Sequence, residues 1–309
     1  MSSSNRRSLR SAACLAGLLT IGLCSGDLAA QQNLDTVRIQ TLPVASGVYM
    51  LLGSGGNIGV SVGEDAVFLV DDQFAPLTQK IVDAVKALSD KPIRFLLNTH
   101  WHFDHTGGNE NFGDAGVVIF AHDNVRQRMS VDQFIARLNR SVPASPKAAL
   151  PVVTFNDVVT FHLNGEDIHC FHVPPAHTDG DAVVHWIKAN VIHMGDVYFN
   201  GFYPFIDVGS GGSVNGMIDA VAKALPLIND QTKVIPGHGP LSNKAELMAY
   251  RDMLVGVRDK VRTLVAQKKS LQDVLAAKPS AQFDDKWGKG FMKPDDFIGI
   301  VYESLSKGK

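Results

Sequence analysis

The sequence predicts an α/β fold in which helices pack outside two sheets. Three observations carry that expectation. Apolar runs of strand length alternate with Gly, Asn and Asp turn signals, as in the meander from Val37 to Val70. Strand-then-helix units follow, and the succession of meander and unit occurs in two rounds. Between these runs, apolar residues recur at helical spacing, as at Ile81, Val82, Val85 and Leu88.

In chain order, Val37–Val44 and Val48–Leu52 read as strands, followed by the flexible turn Gly53-Ser54-Gly55-Gly56. Asn57–Val62 and Ala66–Val70 are further strands, parted by Gly63-Glu64-Asp65. Pro76 opens a helix to about Leu88, since proline suits the first helical turn. Ile93–Leu97 is a buried strand, Val117–Phe120 the next, and a helix runs through Val125 and Met129. Ser141–Pro151, rich in proline and alanine, reads as a loop. Val158–Leu163 and Asp167–Val173 flank Asn164-Gly165, a strong hairpin signal. Val183–Ile187 and Val191–Met194 flank Ala189-Asn190 as a second hairpin. A helix near Val214–Leu225, a short strand Lys233–Ile235 and a helical stretch from Ala245 complete the chain, with Ser270-Leu271-Gln272-Asp273 as a capping signal.

With 309 residues, 45% of them hydrophobic, the chain can bury a large core as one α/β domain or two small ones. A formal net charge of −2 gives no strong field toward phosphate backbones, so nucleic acid is not expected as a partner. Arg6, Arg7 and Arg10, the apolar stretch Ala12–Leu23 and the small residues Leu28-Ala29-Ala30 form a signal-peptide pattern with cleavage after Ala30. The expected organisation is a signal peptide over 1–30 and one domain over 31–309, and the expected location is periplasmic or secreted. Asn5-Arg6-Arg7-Ser8-Leu9 adds a hint of twin-arginine export. No run suits stable membrane insertion. Of three cysteines, Cys14 and Cys24 leave with the signal, so no intramolecular disulfide is available to Cys170, which reads as a buried packing residue.

The chemistry concentrates in His100-Trp101-His102-Phe103-Asp104-His105, directly after a buried strand and before Thr106-Gly107-Gly108. His100 and His102 are two apart, so an extended backbone points both rings the same way, while Asp104 and His105 sit where the chain turns. Two pairs of ligands in six residues can serve two metals held close together. Imidazole and carboxylate without thiolate suit zinc. Further candidates stand in matching contexts: His177 in Pro174-Pro175-Ala176-His177-Thr178, Asp196 at the end of Val191–Gly195, and His238 after Val234-Ile235-Pro236-Gly237. Each follows a strand and sits in a loop marked by glycine or proline. A lone histidine ordinarily packs in a core or on a surface, and His122, His162, His169, His172, His185 and His193 are read that way. Trp101 and Phe103 alternate with the ligands and are expected to pack.

These segments resemble the metallo-β-lactamase superfamily, over roughly Val37 to Ala245. The resemblance implies an αβ/βα four-layer sandwich. It implies one metal on His100, His102 and His177, a second on Asp104, His105 and His238, and Asp196 bridging the two as in glyoxalase II and related lactonases. Two zinc ions per chain would lower the pKa of a shared water and give a metal-bridging hydroxide, with Asp104 orienting it or shuttling its proton. One β-lactamase subclass has cysteine where this chain has Asp196, and another usually has no ligand there. His102 stands where flavodiiron proteins have glutamate.

The expected function is therefore a dinuclear zinc hydrolase that opens a cyclic amide such as a β-lactam, which the expected export favours. A lactonase or thioesterase of glyoxalase II type is the next reading, favoured by Asp196. A mononuclear iron enzyme oxidising a sulfur substrate, and a periplasmic accessory protein of a quinoprotein system, complete the alternatives. The expected partner is a small-molecule carbonyl substrate, and no protein partner can be inferred. Tyr198, Asn200, Phe202, Tyr203 and Phe205, which follow Asp196, are candidates for a pocket wall or an oxyanion donor, with ordinary loop packing the equal alternative. Gly53–Asn57 is a candidate flap.

Overall fold

In this computed structural model Met1 and residues 33–306 are described; the predicted signal peptide, with Cys14 and Cys24, falls outside the described residues except for Met1. The chain divides between Asn33 and Leu34, and the unit from Leu34 onward carries all the elements below.

The first sheet takes up β1 (Gln40–Ala45), β2 (Val48–Leu52), β3 (Ile58–Ser61), β4 (Val67–Val70), β5 (Ile93–Leu97) and β6 (Val118–His122). A separate hairpin of β7 (Gln133–Ile135) and β8 (Arg140–Val142) intervenes before β9 (Val153–Phe155) closes the sheet beside β6. Pairing is antiparallel from β1 to β4 and parallel from β4 through β5 and β6 to β9. The second sheet runs in order through β10 (Val158–Leu163), β11 (Glu166–His172), β12 (Ala182–Trp186), β13 (Val191–His193), β14 (Lys233–Ile235) and β15 (Ser242–Asn243), with β13 and β14 its parallel pair. The helices are α1 (Thr78–Lys86), α2 (Phe103–Thr106), α3 (Asn109–Asp114), α4 (Asp123–Met129), α5 (Val214–Ala224), α6 (Lys244–Ala266), α7 (Leu271–Ala276), α8 (Asp284–Trp287) and α9 (Pro294–Ser306). Among the described residues no helix is long and apolar enough to cross a membrane.

Alternation along the strands sorts side chains into separate cores. Phe68 and Val70 of β4, Leu97 of β5, and Cys170, Val184 and Trp186 of the second sheet meet in one buried cluster between the sheets. The neighbouring residues Val67, Leu69 and Leu96 face the other way, onto Ile81 and Val85 of α1 and Phe112 of α3. On the far side, Phe171, Val183 and Ile192 pack with Met217 of α5, Leu254 and Val257 of α6 and Phe297 of α9. The layers are thus helix, sheet, sheet, helix, the four-layer αβ/βα sandwich expected from the sequence. Cys170 is fully buried, and burial pushes its thiol far up, in keeping with a packing role.

Local departures from the sequence reading have identifiable causes. The first strand begins at Gln40, not Val37, because the ammonium of Lys80 takes the carbonyls of Leu34, Asp35 and Val37, and Leu34–Thr36 coils into a short turn. Pro76 lies in a 3₁₀ turn, Ala75–Leu77, that leads into α1 at Thr78, and the helix stops at Lys86. The stretch read as a loop over Ser141–Pro151 contributes to β8 and holds a 3₁₀ turn at Lys147–Ala149. Strands of three residues such as β7, β8 and β9 are too short to show a period. The Asn164-Gly165 turn has both residues at positive φ, 57° and 71°, as the hairpin signal requires. Ser270 and Asp273 form the expected capping box.

Trp186 is fully buried between the sheets. Its replacement by alanine should cost about 3–5 kcal/mol, read as a shift of the guanidinium unfolding midpoint at unchanged slope. An unshifted midpoint would show that this layer does not hold the sheets together.

Candidate metal centre

Five of the seven candidate ligands follow the end of a strand, and Asp104 and His105 lie in α2 just beyond β5. β5 runs into His100 and His102, the chain past β11 supplies His177, and the parallel pair β13 and β14 delivers Asp196 and His238 side by side. Backbone bonds lock these ends together: Ala182 N donates to Thr99 O (2.8 Å), Asn57 N to Gly237 O (2.7 Å) and Gly237 N to Gly195 O (2.8 Å). The Asn57 amide reaches across to the carbonyls of Pro236 and Gly239, 2.9 Å each. Gly53–Asn57 is therefore no flap: Gly56 donates to Asp104 O at 3.0 Å, and a Cβ on Gly56 would run into the His105 ring.

The seven residues singled out in the sequence converge. Nitrogens of His100, His102 and His177 lie within 4.8 Å of one another, as do the ligand atoms of Asp104, His105 and His238, and those of His100, His105 and Asp196. Asp196 lies between the two triads. Its Oδ2 is 3.8 Å from His100 Nε2 and 3.5 Å from His177 Nε2, while its Oδ1 is 3.2 Å from His105 Nε2 and 3.4 Å from His238 Nε2. Asp104 Oδ2 stands 3.3 Å from His238 Nε2. The triad of His100, His102 and His177 is fully buried, whereas the side chains of Asp104 and His238 are about one-fifth exposed, at 21% and 22%.

Four of the five histidines spend their outer nitrogen on a partner, which aims the other nitrogen inward. His105 Nδ1 donates to Asp71 Oδ2 at 2.8 Å. The Thr99 hydroxyl donates to the same carboxylate (2.8 Å) and so accepts from His100 Nδ1 (3.1 Å). His177 Nδ1 donates to Phe205 O at 2.8 Å, and His102 Nε2 meets Asp207 Oδ2 at 3.1 Å. Thr178 and Asp181 brace the His177 turn, with Asp181 Oδ2 accepting from His177 N at 2.6 Å. Asp71, Thr99, Asp181 and Asp207 are functional neighbours the sequence reading missed, and Phe205, a candidate for the pocket wall, serves through its backbone carbonyl. Asp71 had a usable signal, since it follows the apolar strand β4 as the ligands follow theirs; Asp207 had none.

The donor set fits a pair of metal ions. His177 Nε2 and His102 Nδ1 face each other at 2.8 Å and His105 Nε2 and His238 Nε2 at 3.2 Å, nitrogen to nitrogen, while His100 Nε2 is buried with no hydrogen-bond partner. Buried polar atoms without partners are costly, and a cation among them removes that cost. Nitrogen and carboxylate donors without sulfur suit zinc.

Protonation divides the two triads. Burial, with the charge of His105 beside it, holds His100 well below the ordinary histidine range, and burial holds His177 at about 4. Burial also acts to lower His105 and His238, but the carboxylates of Asp196 and Asp104 outweigh it, leaving His105 well above the ordinary value and His238 at about 9. The same pairing overcomes burial in Asp104 and Asp196 and holds both carboxyls low.

The other candidates do not join the cluster. The Tyr198 hydroxyl bonds Ser242 Oγ at 2.8 Å, Tyr203 donates to Asp284 Oδ1 at 2.8 Å, and the Asn200 amide donates to Pro240 O at 3.0 Å. All three are buried, so they anchor the loop after Asp196 instead of meeting a substrate. Trp101 packs in the helix-side core as expected, and Phe103 stacks on Phe74 with the Arg140 guanidinium 3.4 Å from its ring centre. His193 braces the ligand loops, with Nε2 donating to Asn57 O at 3.0 Å and Nδ1 accepting from Gly195 N.

Asp71→Asn leaves one carbonyl oxygen where two hydrogen bonds now end on a single carboxylate oxygen. It should weaken zinc binding about 10- to 100-fold with little loss of fold, as measured by competition with a chelator. Unchanged affinity would remove Asp71 from the support of the centre. The pKa pattern gives a second test. Folding raises His238 above the usual 6.5, so its contribution to the metal-free protein is full below 6.5 and fades as pH rises through about 9. Zinc competes for that proton. At pH 7 zinc binding should therefore release protons from His105 and His238, about one to two per chain. Calorimetry in two buffers of different ionisation enthalpy reads this, and zinc binding without proton release would contradict it.

Comparison with known proteins agrees with the geometry. The family model described as the Metallo-beta-lactamase superfamily matches residues 52–242. A hydroxyacylglutathione hydrolase from Polaromonas sp. is 28% identical over 180 residues, 57% of this chain and 60% of the relative, so the chain spans three-fifths of that protein's length. A probable metallo-hydrolase from Bacillus subtilis is 27% identical over 191 residues, 57% of this chain and 85% of the relative. Among solved structures, a metallo-beta-lactamase from Pontibacter korlensis superposes with a TM-score of 0.59 at 17% identity, covering 70% of this chain and 99% of that one. A stereoselective inverting sec-alkylsulfatase from Pseudomonas sp. gives 0.64 at 17% identity, covering 86% and 50%. These structural likenesses support the fold, while the family match and the ligand-bearing strand ends carry the assignment: the chain belongs to the metallo-β-lactamase superfamily, whose members are metal-dependent hydrolases.

Proposed function

We propose that this chain is a dinuclear zinc hydrolase that opens a cyclic amide such as a β-lactam, in the periplasm or outside the cell. The observation that carries the two-metal reading is Asp196, a single carboxylate with one oxygen toward each triad. The β-lactam reading rests on the export expected from the first thirty residues. Zinc in the centre supplies a Lewis acid for a carbonyl oxygen and brings the pKa of water toward neutrality. The chain supplies the rest. His100, His102 and His177 hold the buried position, closed to solvent. Asp104 and His238 form the open rim, so a carbonyl compound enters on their side. Asp104, held ionised beside His105 and His238, is placed to orient a water molecule at the rim. An open rim of this kind favours turnover over a purely structural metal site, which is closed.

A second reading, hydrolysis of a thioester or lactone, has its own support. Asp196 stands where the glyoxalase II resemblance puts a bridging aspartate, and curated relatives carry the name hydroxyacylglutathione hydrolase. The deciding experiment takes the purified chain, counts metals by elemental analysis, and follows a chromogenic cephalosporin with and without chelator in the same preparation. The expected result is two zinc ions per chain and ring opening that the chelator abolishes. Two metals without ring opening would move the assignment to thioesters and lactones, and fewer than two would overturn the dinuclear reading.

A further inference from the structure

We propose that the aromatic series Phe199, Phe202 and Phe291 forms a wall leading out from the metal centre that selects substrates carrying a flat aromatic group on the acyl side; this rests on the acyl-hydrolase reading above.

The series starts on a candidate metal ligand. Phe199 lies nearly parallel to His238, ring centres 5.3 Å apart at 13°, and the two residues pair as an isolated β-bridge. Phe202 meets Phe199 edge-on at 5.7 Å and 74°, and Phe291 meets Phe202 edge-on at 6.4 Å and 71°. These are favourable aromatic geometries, so the rings hold one another in place. Exposure rises along the series. Phe199 is 1% exposed, Phe202 is half-buried and Phe291 is 60% exposed. The series thus runs from the fully packed interior beside His238 to open water.

Core packing explains Phe199 but not Phe291. Burying a phenylalanine contributes to stability only as far as its surface leaves water, and Phe291 leaves most of its ring in water. It stands in the short segment between α8 and α9, beside Gly290, whose missing side chain lets the Phe202 ring come close. A large exposed ring continuous with a hydrolytic centre has an apolar part of the substrate as its natural cover. Ring-edge and ring-face geometry favours a flat aromatic group over a branched aliphatic one. The carbonyl of such a substrate reaches the Asp104 and His238 rim while its aryl group lies along Phe202 and Phe291.

The test uses the full chain loaded with zinc and two matched pairs of substrates: benzylpenicillin against 6-aminopenicillanic acid, and a phenylacetyl against an acetyl thioester of one thiol. In the wild type, kcat/KM for the aryl member should exceed that of its partner by about tenfold or more, the scale a hydrophobic pocket supplies. Phe291→Ala, at an exposed position that folding does not need, should remove most of that preference and leave the small member within about twofold. Phe202→Leu should do the same with volume roughly kept. An aryl preference that is absent, or that survives both substitutions, overturns the proposal. A binding measurement separates this from the proposed reaction. Calorimetry of phenylacetate against acetate should show the aryl acid binding about tenfold tighter, with the difference lost in Phe291→Ala. Turnover of neither pair, with the aryl binding preference intact, would overturn the acyl-hydrolase reading and keep the wall. Equal binding of the two acids would overturn the wall by itself.

Discussion

The Asp196 carboxylate is the constraint on which the rest of the site depends. It is buried, and buried charge is tolerated only when it is paired and hydrogen-bonded or bound to metal. Here its surroundings are four imidazoles, two on each side. To bring them there the fold must set the ends of two separate sheets against each other within hydrogen-bond reach. The parallel pair β13 and β14 sets Asp196 beside His238, and β5 brings the His100 segment from the other sheet. The close approach leaves no room for side chains at the seam. A Cβ at Gly237 would strike Asp196 and one at Gly56 would strike His105. Glycine is required at both places by space.

Around this carboxylate, the fold fixes histidine rings from behind. Asp71 is the clearest case, because one carboxylate orients His105 directly and His100 through Thr99. Asp71 and Gln73 both take positive φ, 64° and 57°, a conformation that ordinary side chains reach only at a cost of about 1–3 kcal/mol. The turn after β4 stays in that shape because its polar groups are spoken for. Thr99 N donates to Asp71, Gly108 N to Asp72, and the Gln73 amide to Gly56 O. Strain in one turn is thus held by bonds to the three segments that surround the ligands. The inward nitrogens gain a fixed direction from it, which a metal centre needs before any metal arrives.

How much of this the sequence revealed follows from how local each signal is. The ligands were legible because the segments that carry them follow strands and are marked by glycine or proline, and because His100 to His105 concentrate four of them in six residues. The two sheets and their flanking helices were legible from period and turn chemistry, with Asn164-Gly165 and the Ser270 capping box as the sharpest cases. The support of the ligands was not. Asp207 lies more than a hundred residues from the His102 it meets, and Phe205 acts through a backbone carbonyl that any residue type would offer. Tyr198, Asn200 and Tyr203 take the loop-packing alternative for the complementary reason. Nearness to Asp196 in sequence suggested a substrate contact, while their polar atoms turn toward Ser242, Pro240 and Asp284 on later elements. Lys80, which takes the Val37 carbonyl at the start of the expected first strand, is a tertiary contact of the same kind.

The unequal exposure of the two triads gives the centre a direction. His100, His102 and His177 are buried, and burial disfavours the charged form of His100 and His177. Asp104, His105 and His238 sit among two carboxylates, and Asp104 and His238 border water. Charge can change hands there, because a proton on His238 and a cation compete for the same lone pair. The site therefore has one buried end and one end that borders water. Asp196 spans both and couples them. Its replacement should therefore disturb the two positions together, whereas a change at His177 or at His238 begins on one side only.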